Sequence, residues 1–105
     1  MQININTGNH IEGSDRRESY FTDVLKEKLK RFDDHITSLE IHISDQNAKD
    51  RSGAAEIRCN MEARANGVKP LAVSCSADTI EKAIAGATDK MKHLLEHTFD
   101  KLRTH

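Results

Sequence analysis

The sequence contains no tryptophan, one proline, one tyrosine and three phenylalanines. With so few aromatic residues, we expect a modest core built from aliphatic side chains. No apolar run approaches the roughly 18 residues that a membrane-spanning helix needs, and the start of the chain does not have the pattern of a signal peptide. The 16 basic and 17 acidic residues almost cancel, so the overall charge indicates no particular partner. These properties predict a cytoplasmic protein without a membrane partner.

Cysteine is also scarce, and the two cysteines are far apart in the sequence. The spacing of Cys59 and Cys75 matches neither a metal-binding knuckle nor a CxxC redox pair. Both fall at positions that would face inward on strands, so we interpret them as small buried apolar residues. A chain of 105 residues can bury one core, which predicts a single domain over residues 1–105.

Apolar residues recur with the two-residue period of a strand in four segments and with the 3.6-residue period of a helix in two. The last helical segment is the most informative, because at 1.5 Å per residue it would be roughly 36 Å long. The predicted elements are a strand at Met1–Thr7, a helix at Arg16–Arg31, strands at Ser38–Asp45, Ala55–Arg64 and Leu71–Ala77, and a helix at Thr79–Arg103.

Local signals mark the ends of these elements. Asp15 with Glu18, and Asp78 with Glu81, have the spacing of a capping box at a helix start. Asn66-Gly67 predicts a hairpin, because both residues tolerate a positive φ in a tight turn.

The resulting order, β-α-β-β-β-α, predicts a fold of the α+β class. Each strand is apolar on one face only, which is typical of a sheet that packs on one side and meets water on the other. We therefore expect two layers, with both helices packed on one face of a four-stranded sheet.

Basic residues are locally enriched on the two predicted helices. The first helix carries an excess of three positive charges and the last an excess of one, and Lys90, His93, His97 and Lys101 lie close together around the axis of the last helix. A long helix with cations along one edge suits a rod-like anionic partner, because Lys and Arg spread over a surface can contact a phosphate backbone. Ordinary solvated helix faces also interleave Lys and Glu, so charge alone leaves both interpretations open.

Three segments carry a resemblance to a known family. QININTG at the start, KEKLKRFDDHI at the end of the first helix and AIAGATDKMKHLLEHTFDKL in the last helix resemble the HPF/RaiA family of ribosome hibernation-promoting factors, also called sigma-54 modulation proteins. The resemblance extends from Met1 to about Arg103 and is to the short form of the family.

The resemblance implies a non-enzymatic translation inhibitor that acts in stress or stationary phase. Such a protein would bind the 30S subunit or 70S ribosome and occupy the channel of mRNA and tRNA on 16S rRNA, without a cofactor or small-molecule substrate. Recognition of the RNA backbone and shape fits an expected absence of exposed aromatic stacking platforms. By position, the RNA contacts would be Lys26, Lys28, Lys30 and Arg31 on the first helix, and Lys82, Lys90, Lys92, Lys101 and Arg103 on the last.

Two histidines extend this predicted set of RNA contacts. His93 and His97 are aligned with Lys90 and Lys101 and stand in a stretch that the family usually keeps richly basic. Because imidazole side chains gain charge just below neutral pH, we expect acidification to tighten RNA binding. Surface histidines without such a role are the alternative.

The same segment also supports a rival interpretation as an enzyme. His93-Leu94-Leu95-Glu96-His97 matches the H-x-x-E-H motif of inverted zinc peptidases. A catalytic zinc site needs a third protein ligand and a cleft, and a single exposed helix provides neither. We therefore predict no enzyme and no resident metal, although adventitious metal binding by the two histidines stays open.

A second rival is a protein-interaction module of the same fold that has lost strong ribosome binding. The open face of the sheet is expected to be polar, with residues such as Asn4, Glu40, His42, Arg58 and Asn60. Its edge strands could pair between chains, which is compatible with weak self-association. Nothing on this face forms an apolar hot spot of the kind that dominates stable interfaces.

Overall fold

The computed structural model describes residues 1–8, 15–45 and 56–103, with the backbone alone at 15–16 and 101–103. It confirms the predicted order of elements and the α+β class. A 3₁₀ turn between the first helix and the second strand was not predicted. The elements are β1 Gln2–Thr7, α1 Asp15–Lys28, the 3₁₀ turn Lys30–Phe32, β2 Ile36–Asp45, β3 Ile57–Ala65, β4 Leu71–Ala77 and α2 Ile80–Arg103.

The four strands form one sheet in the order β1-β2-β3-β4. Strand β1 pairs with β2 in parallel, and the β2–β3 and β3–β4 pairs are antiparallel. A parallel pair of neighbouring strands needs a crossover connection, and α1 provides it. The connection between β2 and β3 includes residues 46–55, which lie outside the described residues, as does Ala55 at the predicted start of β3.

The core lies between the sheet and the helices, on the face where the strand residues are apolar. Strand β2 shows the alternation clearly, because Leu39, Ile41 and Ile43 are buried while His42 between them is exposed. Helix α2 packs over β3 and β4, and α1 lies over β1. The helices contribute buried side chains at Phe21, Leu25, Ala83, Ile84, Ala87, Met91, Leu95 and Phe99.

The first helix ends three residues earlier than predicted. Regular α-helix stops at Lys28, and Leu29 has φ −105° and ψ 13°, outside helical geometry. The chain then tightens into the 3₁₀ turn, in which the amide of Phe32 donates to the carbonyl of Leu29 over 2.9 Å. Leu29 and Phe32 are both buried. Arg31 therefore lies on the 3₁₀ turn and not on α1.

The cap of α2 also differs from the prediction by one residue. The hydroxyl of Thr79 accepts a hydrogen bond from the amide of Lys82 over 3.1 Å, which makes Thr79 the N-cap. The carboxylate of Asp78, expected to cap, instead forms an ion pair with Lys82 Nζ at 3.1 Å. The predicted capping box of Asp78 with Glu81 is therefore wrong. The side chain of Asp15, the other predicted cap, lies outside the described residues.

The predicted hairpin is present between β3 and β4, but its turn is longer than two residues. Residues 66–70 connect the strands, and only Gly67, at φ +81°, has a positive φ within the described chain. Asn66 keeps a negative φ, so this is not the tight turn with two positive φ angles that Asn-Gly typically forms.

Helix α2 lies close to strand β4 at Gly86. A Cβ atom at this position would lie 2.3 Å from Cys75 Sγ and 3.4 Å from Cys75 Cβ. A side chain at this position would require the thiol of Cys75 to move, because that thiol occupies the space above Gly86. Cys75 is half-buried, and Cys59, directly opposite it on β3, is fully buried as predicted.

Candidate nucleic-acid interface

Every predicted RNA contact whose side chain is described is exposed to solvent. The set comprises the ammonium, guanidinium and imidazole groups of Lys26, Lys28, Lys30, Arg31, Lys82, Lys90, Lys92, His93 and His97. Lys101 and Arg103 belong to the last turn of α2, and their side chains lie outside the described residues.

The three lysines at the end of α1 and in the 3₁₀ turn have no ion pair with a described carboxylate. Lys26 and Lys30 line a shallow depression of about 610 Å³ beside Met1, together with Asp23, Asp33 and other acidic residues. Their charges are available to an anion, although acids within the same depression weaken the local positive potential.

The cations of α2 are engaged more often. Lys82 is paired with Asp78, as described above. Lys90 Nζ donates a hydrogen bond of 2.8 Å to the carbonyl of Ser74 on β4. Because β4 is an edge strand, Lys90 covers part of a sheet edge that could otherwise pair with another strand.

These positions spread the cations over the whole width of the helical layer. Lys26 and Lys30 lie near β1, whereas Lys90 reaches β4, and these strands are the two edges of the sheet. A small anion could therefore contact only part of the set. A long phosphate backbone could contact several members at once.

Arg31 makes contacts that the sequence did not predict. Its guanidinium lies 3.1 Å from Asp100 Oδ1 and 3.7 Å from Glu96 Oε2, both on α2. Arg31 Cζ also lies 5.1 Å from the ring centroid of Phe32. The i, i+4 spacing of Glu96 and Asp100 places both carboxylates on one side of the helix, but nothing local in the sequence indicates their partner.

An aromatic cluster lies next to this ion pair. The imidazole of His35 stacks on Phe99, with ring centroids 4.4 Å apart, and Phe32 lies 6.2 Å from the same ring. His35, three residues after the end of the 3₁₀ turn, thus packs on the C-terminal part of α2. This cluster and the Arg31 ion pairs tie the two helical segments together.

One aromatic residue contradicts the expectation of no exposed stacking platform. The side chain of Tyr20 on α1 is 61% exposed and contacts Phe21 edge to face, with centroids 5.4 Å apart. The helical period places Tyr20 outside the apolar stripe, a signal that the sequence interpretation overlooked.

The H-x-x-E-H segment lacks the surroundings of a zinc site in the described structure. His93 and His97 are exposed on α2, and Glu96, the residue that would act as base, faces Arg31. Within residues 1–8, 17–45 and 56–100, no group of three or more His, Cys, Asp and Glu side chains is arranged to hold a metal ion.

Cys59 is a poor candidate for a nucleophile. Burial raises the pKa of its thiol to about 12, and the neighbouring Cys75 adds to the increase. The thiol is therefore neutral at physiological pH, whereas nucleophilic cysteines need a thiolate.

The opposite face of the sheet is polar, as predicted. A shallow groove of about 920 Å³ crosses it, lined by strand residues that include Glu40, His42 and Asn60. Asn4 donates to Glu40 across the β1–β2 pair over 2.9 Å, and Arg64 lies 3.4 Å from Glu62.

Among the described helices, none is long and apolar enough to cross a membrane.

Comparison with known proteins gives a match over almost the whole chain. The model of the family described as sigma 54 modulation protein / S30EA ribosomal protein matches residues 3–103. No curated protein sequence matches significantly.

Two solved structures share the fold at low sequence identity. The N-terminal domain of Protein Y from Thermus thermophilus is 17% identical, with a TM-score of 0.73, and the match covers 93% of this chain and 99% of that domain. A ribosomal subunit interface protein from Coxiella burnetii is 14% identical, with a TM-score of 0.71, and the match covers 95% and 99% of the two chains.

Proposed function

Since this chain belongs to the family of sigma 54 modulation proteins and S30EA ribosomal proteins, it is a ribosome-associated protein, and we propose that it is a hibernation factor that binds the small subunit. It would contact 16S rRNA in the channel of mRNA and tRNA and inhibit translation by steric occlusion. It would act in the cytoplasm and would catalyse no reaction. The observation that carries this proposal is the family match over residues 3–103.

The shape of the domain supports occlusion of a channel. The molecule measures 52 × 25 × 18 Å, and α2, with 24 residues, is roughly 36 Å long. An elongated body of this kind can lie along a nucleic-acid path, and cations at both margins of the helical layer can contact phosphates on either side. Acidic residues between them limit the affinity, so binding should depend on several contacts made together.

Salt dependence and matched variants test the proposal. We expect the protein to sediment with 30S subunits at low salt and to dissociate steeply as salt rises. The variant Lys26→Gln/Lys28→Gln/Lys92→Gln removes three exposed cations from the helical layer. It should make the salt dependence shallower: the magnitude of the negative slope of log affinity against log salt should fall by about two to three, because each phosphate contact contributes roughly 0.7 to 0.9.

The control is Arg58→Gln/Arg64→Gln/Lys69→Gln, which removes the same charge from exposed positions on β3 and the β3–β4 turn. Equal losses in the two variants would show that only net charge matters. Absence of 30S binding at low salt would contradict the proposed function and would favour the protein-interaction module. The expected strengthening of binding by protonated His93 and His97 stays a prediction within this proposal.

A further inference from the structure

Arg31 differs from the other predicted RNA contacts in how its charge is held. Two carboxylates of α2, Asp100 at 3.1 Å and Glu96 at 3.7 Å, face its guanidinium from a different element of the fold. Within residues 17–45 and 56–100, no other predicted contact has an ion pair with a distant element, since Lys82 pairs with Asp78 four residues away. The guanidinium of Arg31, on the 3₁₀ turn, is therefore already paired with α2 before any RNA is bound.

The arrangement imitates the recognition of a phosphate. Arginine binds carboxylate and phosphate oxygens with the same planar set of N–H donors. The side chain of Arg31 is 51% exposed, so an external phosphate can reach it. A phosphate that binds there competes with both carboxylates for the N–H donors of Arg31, and it also approaches the negative charges of Glu96 and Asp100.

We propose that Glu96 and Asp100 act as an internal competitor for Arg31 and set the specificity of RNA binding. This inference depends on the proposed function, because it treats Arg31 as an RNA contact. A single phosphate gains little by competing with two carboxylates that already form ion pairs with the guanidinium. An RNA surface that contacts several other cations of the helical layer at once holds a phosphate beside Arg31 long enough to displace them. The pair thus selects against short or flexible anions and for an extended, ordered RNA.

Neutral isosteres test the competitor directly. The variant Glu96→Gln/Asp100→Asn should bind both 30S subunits and a generic single-stranded RNA, poly(U), more tightly, with the larger gain on poly(U). The matched control Glu81→Gln/Asp89→Asn removes two negative charges from exposed positions of the same helix. We expect the first variant to gain about fivefold more affinity for poly(U) than the control does.

Removal of Arg31 distinguishes competition from a general charge effect. In an Arg31→Gln background, the additional gain of Glu96→Gln/Asp100→Asn over its control should disappear. Equal gains in the two acidic variants, or a gain that survives Arg31→Gln, would overturn the inference. Thermal unfolding of each variant checks that the fold is kept, and only folded variants are compared.

The two RNA probes also separate this inference from the proposed function. If wild-type protein fails to bind 30S subunits but the Arg31-dependent gain on poly(U) is present, the ribosomal proposal fails and the competitor stands. If 30S binding is present without an Arg31-dependent gain on either RNA, the competitor is refuted and the ribosomal proposal stands.

Discussion

The two helices lie on the same face of the sheet, yet they are held there in different ways. Helix α2 has 24 residues, packs over β3 and β4, and contacts the 3₁₀ turn through Phe99 and Asp100. Helix α1 has 14 residues and lies over β1 with few contacts to α2. The basic side chains of the two helices also differ, because those of the less extensively packed helix have fewer partners. The lysines that end α1 have no ion pair with a described carboxylate, whereas Lys82 and Lys90 of α2 have polar partners.

This difference separates two roles that a basic helix can have. The position of α2 is fixed by its buried stripe and by the close approach at Gly86, and its polar side chains in part fasten neighbouring elements. Helix α1 contributes less to the core, and its lysines are available to a partner. A count of positive charges along the sequence treats the two helices as equivalent, and the structure shows that they are not.

The largest effect that distinguishes the helices should come from matched truncations in the core. Leu95 on α2 and Leu25 on α1 are both fully buried. Leu→Ala substitutions at buried sites cost about 2–5 kcal/mol of unfolding free energy, depending on how far the site can collapse. Because α1 packs less extensively on the sheet than α2 does, we expect it to adjust more easily, with Leu25→Ala near the lower limit and Leu95→Ala near the upper. Urea unfolding of both variants measures this, and equal costs would contradict the comparison.

The close approach at Gly86 predicts a change of sign in a double-mutant cycle. Gly86→Ala alone should lower the unfolding free energy by about 1–3 kcal/mol, because the added methyl meets Cys75 Sγ. In a Cys75→Ala background the clash is removed, and the better helix propensity of alanine should then stabilise by up to about 1 kcal/mol. Additive effects of the two substitutions in denaturant unfolding would show that the contact between Gly86 and Cys75 does not limit how α2 packs on the sheet.

The thiol beneath α2 predicts a dependence of stability on alkaline pH. Below pH 9.0 the thiol of Cys59 is protonated in the folded and unfolded chains. Above it the unfolded chain loses the proton, while the folded chain, with a pKa of about 12, retains it. The unfolding free energy should therefore fall by roughly 2 kcal/mol between pH ~8 and ~10.5.

The Cys59→Ala variant should not show this decrease of the unfolding free energy at alkaline pH, because the raised pKa comes first from burial of that thiol. Cys75→Ala serves as the control and should keep most of it, since Cys59 stays buried. Identical pH profiles for wild type and Cys59→Ala, from chemical unfolding at each pH, would refute a buried neutral thiol at this site.

The smallest effect is expected at Tyr20 on α1. If binding uses the phosphate backbone and not stacked bases, Tyr20→Ala should change the affinity for 30S subunits less than about twofold, and Tyr20→Phe still less. Stacking on an aromatic side chain is worth about 1–3 kcal/mol per base. A tenfold loss in Tyr20→Ala with full retention in Tyr20→Phe would therefore show that α1 reads bases as well.

The spacing of apolar residues predicted the strands and helices well, because burial of one face of an element imposes a regular spacing on its apolar residues. The alternation of Leu39, Ile41 and Ile43 identified β2, and the apolar stripe from Ala83 to Leu95 identified α2. The predicted end of α1 was wrong because the apolar pattern continues to Phe32, which is buried but lies on the 3₁₀ turn. From the sequence alone, Leu29 and Phe32 are compatible with an α-helix and with a 3₁₀ helix.

The candidate interface could be predicted only as a set of residue types. Exposed lysines on the helical segments were predicted, and the lysines whose side chains are described are exposed there. It could not show that Arg31 meets Glu96 and Asp100, because the pairing joins positions 65 or more residues apart and depends on the angle between elements. Nor could it show that Gly86 accommodates Cys75, since this contact exists only once α2 lies on β4.

The central claim, occlusion of the mRNA and tRNA path, is tested most directly by competition on 30S subunits. Subunits would be loaded with labelled mRNA and tRNA and then titrated with the protein, with the Lys26→Gln/Lys28→Gln/Lys92→Gln variant as control. We predict that wild-type protein displaces both ligands in proportion to its own binding and that the variant needs a higher concentration. Protein that binds the same subunits while mRNA and tRNA stay bound would contradict the account.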